Sequence, residues 1–225
     1  MNEFTLDTIS PWIDHLPFDW SELEKVGTPK TYEVHKPIFF SGDLADTVYL
    51  VLKGRVRLYL VSPDGKEKAI AIIGENGLIG DRSIRRESFY LENAITAAET
   101  HLISIPSHRF KEMIKRNNQL SEQWIEFLQI KLELLAQDNL YLSFGSSLVR
   151  ICDALCHLVR LYGQEERQGG YTINMTFTHQ ELANLIGATR VTVVNTLKQL
   201  INQSILVKQG KYYHIPDLNK LINLR

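Results

Sequence analysis

Residues 178–215 read THQELANLIGATRVTVVNTLKQLINQSILVKQGKYYHI, and this stretch decides the fold. Its first part has the pattern of two short helices joined by a tight turn. Leu182, Leu185 and Ile186 recur at helical spacing, with small Ala183 where a second helix must pass closely. Gly187 stands where that first helix should end in a left-handed residue. Thr189 offers a hydroxyl N-cap to a longer helix, whose Val193, Leu197, Leu200 and Ile201 form one apolar stripe. Two β-prone runs follow, Ile205-Leu206-Val207 and Tyr212-Tyr213-His214-Ile215, around Lys208-Gln209-Gly210-Lys211. The whole predicts a helix-turn-helix followed by a hairpin wing with two lysines at its tip.

The residues off the stripe point to duplex DNA. Arg190, Val191, Thr192, Asn195 and Lys198 share the face that a major groove would meet. Arginine grips guanine O6 and N7, asparagine pairs with adenine N6 and N7, and an outward-facing valine suits a thymine methyl. Thr178 and His179 at the start of the first helix, Thr189, and Lys208 and Lys211 of the wing complete the expected contact set. A helix pair used only for packing in a small bundle is the plainer reading of the same turn. It leaves the polar N-terminal face and the basic wing unexplained.

Working outward, a chain of 225 residues has room for one large or two ordinary domains. Its composition, 44% hydrophobic and 23% charged, is that of a soluble globular protein. No apolar run approaches the ~18 residues of a membrane span. The opening MNEFTLDTIS lacks a basic start and an apolar core, so no signal peptide and a cytoplasmic location are expected. The net charge of −1 is unpromising for a nucleic-acid binder, but it is unevenly spread: residues 1–143 carry 16 Lys/Arg against 21 Asp/Glu, residues 176–225 carry 6 against 2. An acidic front joined to a mildly basic back suits a DNA reader that works in pairs.

The front begins with two short helical patterns, around Ile9–Leu16 and Ser21–Val26. From Thr31 to Ile105 the texture is β: Val48–Leu52 is a continuous apolar run, and Arg55–Leu60 alternates as a half-exposed strand does. Turns recur at Gly42-Asp43, Lys53-Gly54, Pro63-Asp64-Gly65 and Gly74-Glu75-Asn76-Gly77, which predicts a small antiparallel roll or jelly roll. Ser107–Arg116 reads as a helix. Leu120–Leu142 reads as a longer one with two apolar faces. One face, Ile125, Leu128, Leu132, Leu135, Asn139 and Leu142, steps by three and four like a coiled-coil seam with one polar interruption. The other, Leu120, Trp124, Phe127 and Leu134, is left for the roll. Two apolar sides need two partners, and a second copy of the chain supplies the one its own domain does not. Small residues at 143–147 mark a break, Leu148–Tyr162 resumes as helix, Gly163–Gly170 is a polar loop, and Tyr171–Phe177 is a short strand.

Roll, long helix, hinge and helix-turn-helix in this order resemble the CRP/FNR family of bacterial transcription regulators over nearly the whole chain. The resemblance is carried by Ile38-Phe39-Phe40-Ser41-Gly42-Asp43, Val48 to Val56, Gly65, Gly74-Glu75-Asn76-Gly77-Leu78-Ile79-Gly80-Asp81 and the helix-turn-helix. It implies an α+β chain: an effector-sensing, cyclic-nucleotide-binding-like β-roll at 1–117, a dimerisation helix at 118–143, a hinge at 144–147 and a winged helix-turn-helix at 148–225. It further implies a homodimer whose barrel senses a signal, a palindromic DNA site with half-sites about 34 Å apart, and RNA polymerase as a partner.

The resemblance also places the effector site, at Ile79, Gly80, Asp81, Arg82, Ser83, Glu92, Asn93 and Leu132. Cyclic-AMP binders of this fold hold the phosphate with an arginine–serine pair after a Gly-Glu element. Here Gly80-Asp81 stands at that element and Glu92-Asn93 where the pair would fall, so a carboxylate would repel the phosphodiester. Leu132 and Glu133 replace small hydroxyls on the adenine side. Cyclic AMP is therefore not the expected effector. Arg82, Arg85 and Arg86 either serve a different organic anion or form a solvated basic stretch, and some family members respond without a small ligand. At the DNA head, readers of TGTGA carry arginine, glutamate and a second arginine. This chain keeps Arg190 but has Val191 and Asn195 at the other two places, which predicts a different half-site.

Other chemistries fail on counting. An iron–sulfur sensor needs four cysteine ligands, and the chain has only Cys152 and Cys156, read as small buried hydrophobes. A haem sensor needs an axial residue in the barrel, where His101 is read as a structural strand histidine. A metal-dependent cupin-like enzyme needs a His-x-His pair, absent among histidines 15, 35, 101, 108, 157, 179 and 214. No metal site and no catalytic residue is expected. A signalling adaptor that binds ligand and protein but not DNA is the remaining rival.

Overall fold

A computed structural model describes residues 11–14, 16–81, 89–167 and 169–225. Its backbone divides into two units, residues 11–135 and 136–225. The architecture is α+β, with an antiparallel roll, a long helix and a winged helix-turn-helix.

In the first unit, strands β1 (Trp12–Ile13) to β9 (Thr100–Pro106) form two sheets. One runs in the order β1, β6 (Glu67–Ile73), β5 (Val56–Val61), β8 (Asn93–Thr96), β3 (Pro37–Phe39), and the other β2 (Thr28–Tyr32), β9, β4 (Thr47–Lys53), β7 (Leu78–Ile79). The apolar run read at 48–52 lies in β4 (Thr47–Lys53), where Val48, Leu50 and Val51 are fully enclosed. Its antiparallel partners are β9 and β7 (Leu78–Ile79). Helix α1 (Ser21–Glu24) matches the second of the two helical patterns. The first does not hold: Trp12–Ile13 is a strand, paired in parallel with Ile72–Ile73 of β6 (Glu67–Ile73). Strand texture also starts earlier than expected, at Thr28 in β2 (Thr28–Tyr32). In β5 (Val56–Val61) the expected alternation breaks at Tyr59, which is buried beside Leu58. The register shift at this point puts the extra residue, Ile70, in β6, and Tyr59 is covered from its own face, where the Arg57 guanidinium lies 4.5 Å from the ring centre.

Helix α2 (Ser107–Arg116) has the expected bounds, and α3 (Asn118–Phe144) follows. Leu120, Phe127 and Leu134, seven residues apart, are the buried apolar side of α3 and belong to the roll core. Phe127 meets Phe18 edge-on at 6.2 Å, and Trp124 meets Phe110 at 5.8 Å. The other side stays uncovered: Ile125 is 53% exposed and Leu132 67%. Farther along, Leu142 is exposed too. Leu128 and Leu135 are half-buried between the two faces. Of the four residues read as a hinge, Phe144 is helical and Ser147 opens the next helix, leaving Gly145 and Ser146 between them.

In the second unit, α4 (Ser147–Tyr162) packs on α5 (His179–Ile186), α6 (Arg190–Asn202) and α7 (Leu218–Ile222). Its start is capped by Ser146, whose hydroxyl accepts from the Val149 amide. A four-stranded sheet of order β10-β11-β13-β12 lies beside these helices. The polar loop expected at Gly163–Gly170 begins as strand β10 (Gly163–Glu165), which pairs with β11 (Tyr171–Ile173). The strand expected over Tyr171–Phe177 therefore ends four residues early.

Candidate nucleic-acid interface

The two helices of the DNA head are closed by their own residues. Thr178 and Glu181 form a reciprocal cap on α5: the Thr178 hydroxyl accepts from the Glu181 amide at 3.0 Å, and the Glu181 carboxylate accepts from the Thr178 amide at 2.6 Å. Leu182, Ala183, Leu185 and Ile186 are buried as the pattern requires. Gly187 then takes φ 65° and ψ 44°, the left-handed geometry in which a side chain strains the backbone. Thr189 caps α6, its hydroxyl accepting from the Thr192 amide at 3.1 Å. Val193, Leu197 and Leu200 are enclosed, while Thr196, which was not on the expected stripe, is buried and Ile201 is only half-buried.

The predicted contact residues gather on one exposed end of this head. Arg190, Asn195 and Lys198 are exposed and Thr192 is half-exposed. Val191 is 69% exposed, a hydrophobe whose own core has no use for it. The wing is strands β12 (Val207–Gln209) and β13 (Tyr212–Ile215), with Lys208 and Lys211 exposed about its turn. Its first strand begins two residues later than expected because Ile205 and Leu206 are buried as a lead-in to the core. His179, the first residue of α5, reaches the wing: its Nε2 lies 3.2 Å from the Tyr213 hydroxyl. Tyr213 is itself buried and stacks on Phe177 at 5.4 Å. Burial, followed by the charges of Lys208 and Arg190, holds the His179 imidazole below its ordinary pKa. Arg190 of α6 and Lys208 of β12 thus each act electrostatically on His179 of α5.

The positions expected to hold an effector lie in the first unit and are arranged differently from the expectation. Ile79 is enclosed in β7, and Gly80 has φ +74°, with the Thr47 carbonyl and the Tyr90 ring against its α-carbon. Asp81 is buried and engaged by α3: Lys131 Nζ donates to Asp81 Oδ1 at 2.5 Å, and Trp124 Nε1 to Oδ2 at 3.3 Å. Lys131 also donates to the Leu78 carbonyl at 2.9 Å and sits 4.3 Å from the centre of the Phe127 ring. Asn93 is occupied too, accepting from the Ser41 amide and donating to the Tyr59 carbonyl. Glu92 is buried beside it. A cavity of about 10 Å³, room for one water, is lined by Leu58, Ile70, Ala71, Lys131, Leu134 and Leu135. Leu132 does not line it, because that side chain points to the exposed face of α3 and its neighbour Lys131 faces inward. Arg82, Ser83, Arg85 and Arg86 fall outside the described residues. Sequence reading missed Lys131, whose only signal is a lysine one residue from the seam, next to a buried row.

The thiols of α4 are enclosed: burial pushes Cys152 up to about 12 and Cys156 up to about 11, so both stay protonated and unreactive. Near them the buried Asp153 carboxylate pairs with the Arg225 guanidinium.

The model of the cyclic nucleotide-binding domain family matches residues 29–117, and that of the Crp-like helix-turn-helix domain matches residues 149–224. The chain is 33% identical to the global nitrogen regulator of Nostoc sp. strain PCC 7120 over 79% of its own length and 80% of that protein. It is 26% identical to a CRP-like cAMP-activated global transcriptional regulator of Mycobacterium tuberculosis, over 89% and 87% of the two chains. The solved structure of CLP, a c-di-GMP responsive global regulator of Xanthomonas campestris, shares the fold at a TM-score of 0.77, with 20% identity over 88% of this chain and 97% of that one. The chain belongs to the CRP/FNR family and is a DNA-binding transcription regulator.

Proposed function

We propose that this regulator works as a homodimer that reads a two-fold symmetric DNA site under the control of a small organic anion, other than cyclic AMP, sensed in the roll. The observation that carries it is the uncovered row Ile125, Leu132 and Leu142 on a helix whose opposite side is fully used by its own domain. Burying that row against a second copy would remove apolar surface from water at about 25 cal/mol per Å². It would also pair two mildly basic heads that are individually weak.

Arg190 is the expected guanine reader, with Val191, Thr192 and Asn195 setting a half-site other than TGTGA. Lys198, Lys208 and Lys211 are assigned to phosphates, and RNA polymerase is the expected partner once DNA is bound. The regulators to which the chain is similar are named for nitrogen, for cyclic AMP and for c-di-GMP, so the effector does not follow from similarity. Against cyclic AMP stands Glu92, buried where the phosphate partners would fall. For another anion stands Lys131, a residue of the cavity lining whose ammonium would have to exchange Asp81 for the ligand.

Selection from random duplex DNA, with sedimentation of the bound species, tests the reading. The expected result is a palindrome lacking TGTGA half-sites, bound by two copies. A single copy on the selected DNA, or TGTGA half-sites, overturns it. Thermal-shift screening against small carboxylates and phosphates tests the effector, because a ligand of the folded state raises the melting temperature by mass action.

A further inference from the structure

We propose that His179 takes up a proton when the head engages DNA, forming with Lys208 a two-cation clamp on one backbone phosphate, so that acidity tightens binding. This rests on the DNA-reading face proposed above and assigns His179 a specific chemistry within it. The two groups come from α5 and β12 and meet at one place: Lys208 lies directly across the ladder from Tyr213, whose hydroxyl is 3.2 Å from the His179 ring.

The surroundings of the ring set the direction of the effect. From β13 it faces the Tyr213 hydroxyl at 3.2 Å, and burial raises the pKa of that phenol, so Tyr213 stays neutral and brings no negative charge. From α6 and β12 it faces the cations Arg190 and Lys208. On its own helix the nearby carboxylate, Glu181, is committed to the cap on the Thr178 amide. In the free head the imidazole is therefore kept neutral. A phosphodiester entering beside Lys208 reverses the sign of the local field and favours the imidazolium. The proton comes from solvent. Both ring nitrogens then donate: Nε2 to the Tyr213 oxygen, leaving Nδ1–H for a phosphate oxygen.

Two opposite pH effects follow from one group. Its free-state pKa lies below the unfolded value of about 6.5, so the free head loses stability as the pH falls below that value. DNA affinity moves the other way.

The test measures the dissociation constant of the full chain for its selected duplex by fluorescence anisotropy, at constant ionic strength, from pH 8 to pH 6. The wild type should tighten over this range, with a limit of about tenfold per pH unit for each proton taken up, hence about a hundredfold for a dimer that places two heads on the duplex. His179→Gln should bind with no such slope. His179→Arg should be flat as well, and tighter than the wild type at pH 8. His214→Gln, which removes the neighbouring strand histidine bonded to Thr172, should keep the wild-type slope. A flat wild type, or a slope that survives in His179→Gln, overturns the proposal while leaving the DNA reading intact. Absence of sequence-selective binding at every pH instead removes the DNA-reading face on which the proposal rests.

Discussion

The DNA head and the roll treat their polar residues in opposite ways. In the head, Arg190, Asn195 and Lys198 stand in solvent on a helix anchored by buried Val193, Leu197 and Leu200, and Lys208 and Lys211 stand in solvent on the wing. In the roll, Asp81, Glu92, Asn93 and Lys131 are buried, and the bonds of Asp81, Asn93 and Lys131 reach residues distant in the chain. A surface built to meet a charged polymer keeps its charges exposed. The roll keeps its charges closed on one another, so a ligand entering there would have to compete with bonds already made. Removing a polar group should therefore cost the roll its stability and the head its selectivity.

The sharpest way to break this contrast is Lys131→Met. It leaves the Asp81 carboxylate buried without its cation, for which about 3–5 kcal/mol of destabilisation is expected. The double variant with Asp81→Asn should recover much of the loss. Chemical denaturation measures both, and a neutral Lys131→Met would mean that the chamber is already open to water. Next in size is His157 of α4, a closed polar group inside the head, held by burial, with the Arg160 charge adding to it, at a pKa of about 4. Between pH 6.5 and 4 the unfolded chain binds a proton that the folded head refuses, so acid removes about 3 kcal/mol of stability. Melting curves across that range should show the loss, and His157→Asn should flatten it.

Arg190→Ala comes third. It should weaken discrimination at one base pair by about 1–3 kcal/mol and leave stability within about 0.5 kcal/mol, as judged by anisotropy and denaturation side by side. Smallest is Thr189→Ala, which deletes the α6 cap for about 1 kcal/mol. It should lower stability and DNA affinity together, because the residues it steadies are the ones that read.

The same contrast explains what could be read from the chain alone. Gly187, the Thr189 cap, the stripe Val193, Leu197, Leu200 and the two faces of α3 are legible because their partners lie within a few turns of the same helix. The partnership of Asp81 with Lys131 spans 50 residues and leaves no periodic trace. Strand β1 is visible only through Ile72 and Ile73, far along the chain, and its short apolar run was read with a helical period. Strand β10 is Gly-Gln-Glu, exposed throughout, and only its ladder to β11 makes it a strand. The exposure of Arg190, Val191, Asn195 and Lys198 is legible as what the apolar stripe leaves over, whereas Leu132 is set against the effector on resemblance and the inward side chain is its neighbour Lys131.

The paired threonine caps at Thr178 and Thr189 carry a consequence for how a signal can act. A reader whose helices are locally complete has no disorder left to spend as a control variable, so a distant stimulus has little to fold or melt within it. If the roll senses a signal as proposed above, regulation would work on where a finished object is carried. Calorimetry of the protein–DNA encounter should accordingly give a heat-capacity change that tracks the contact area alone, without the surplus that accompanies coupled folding.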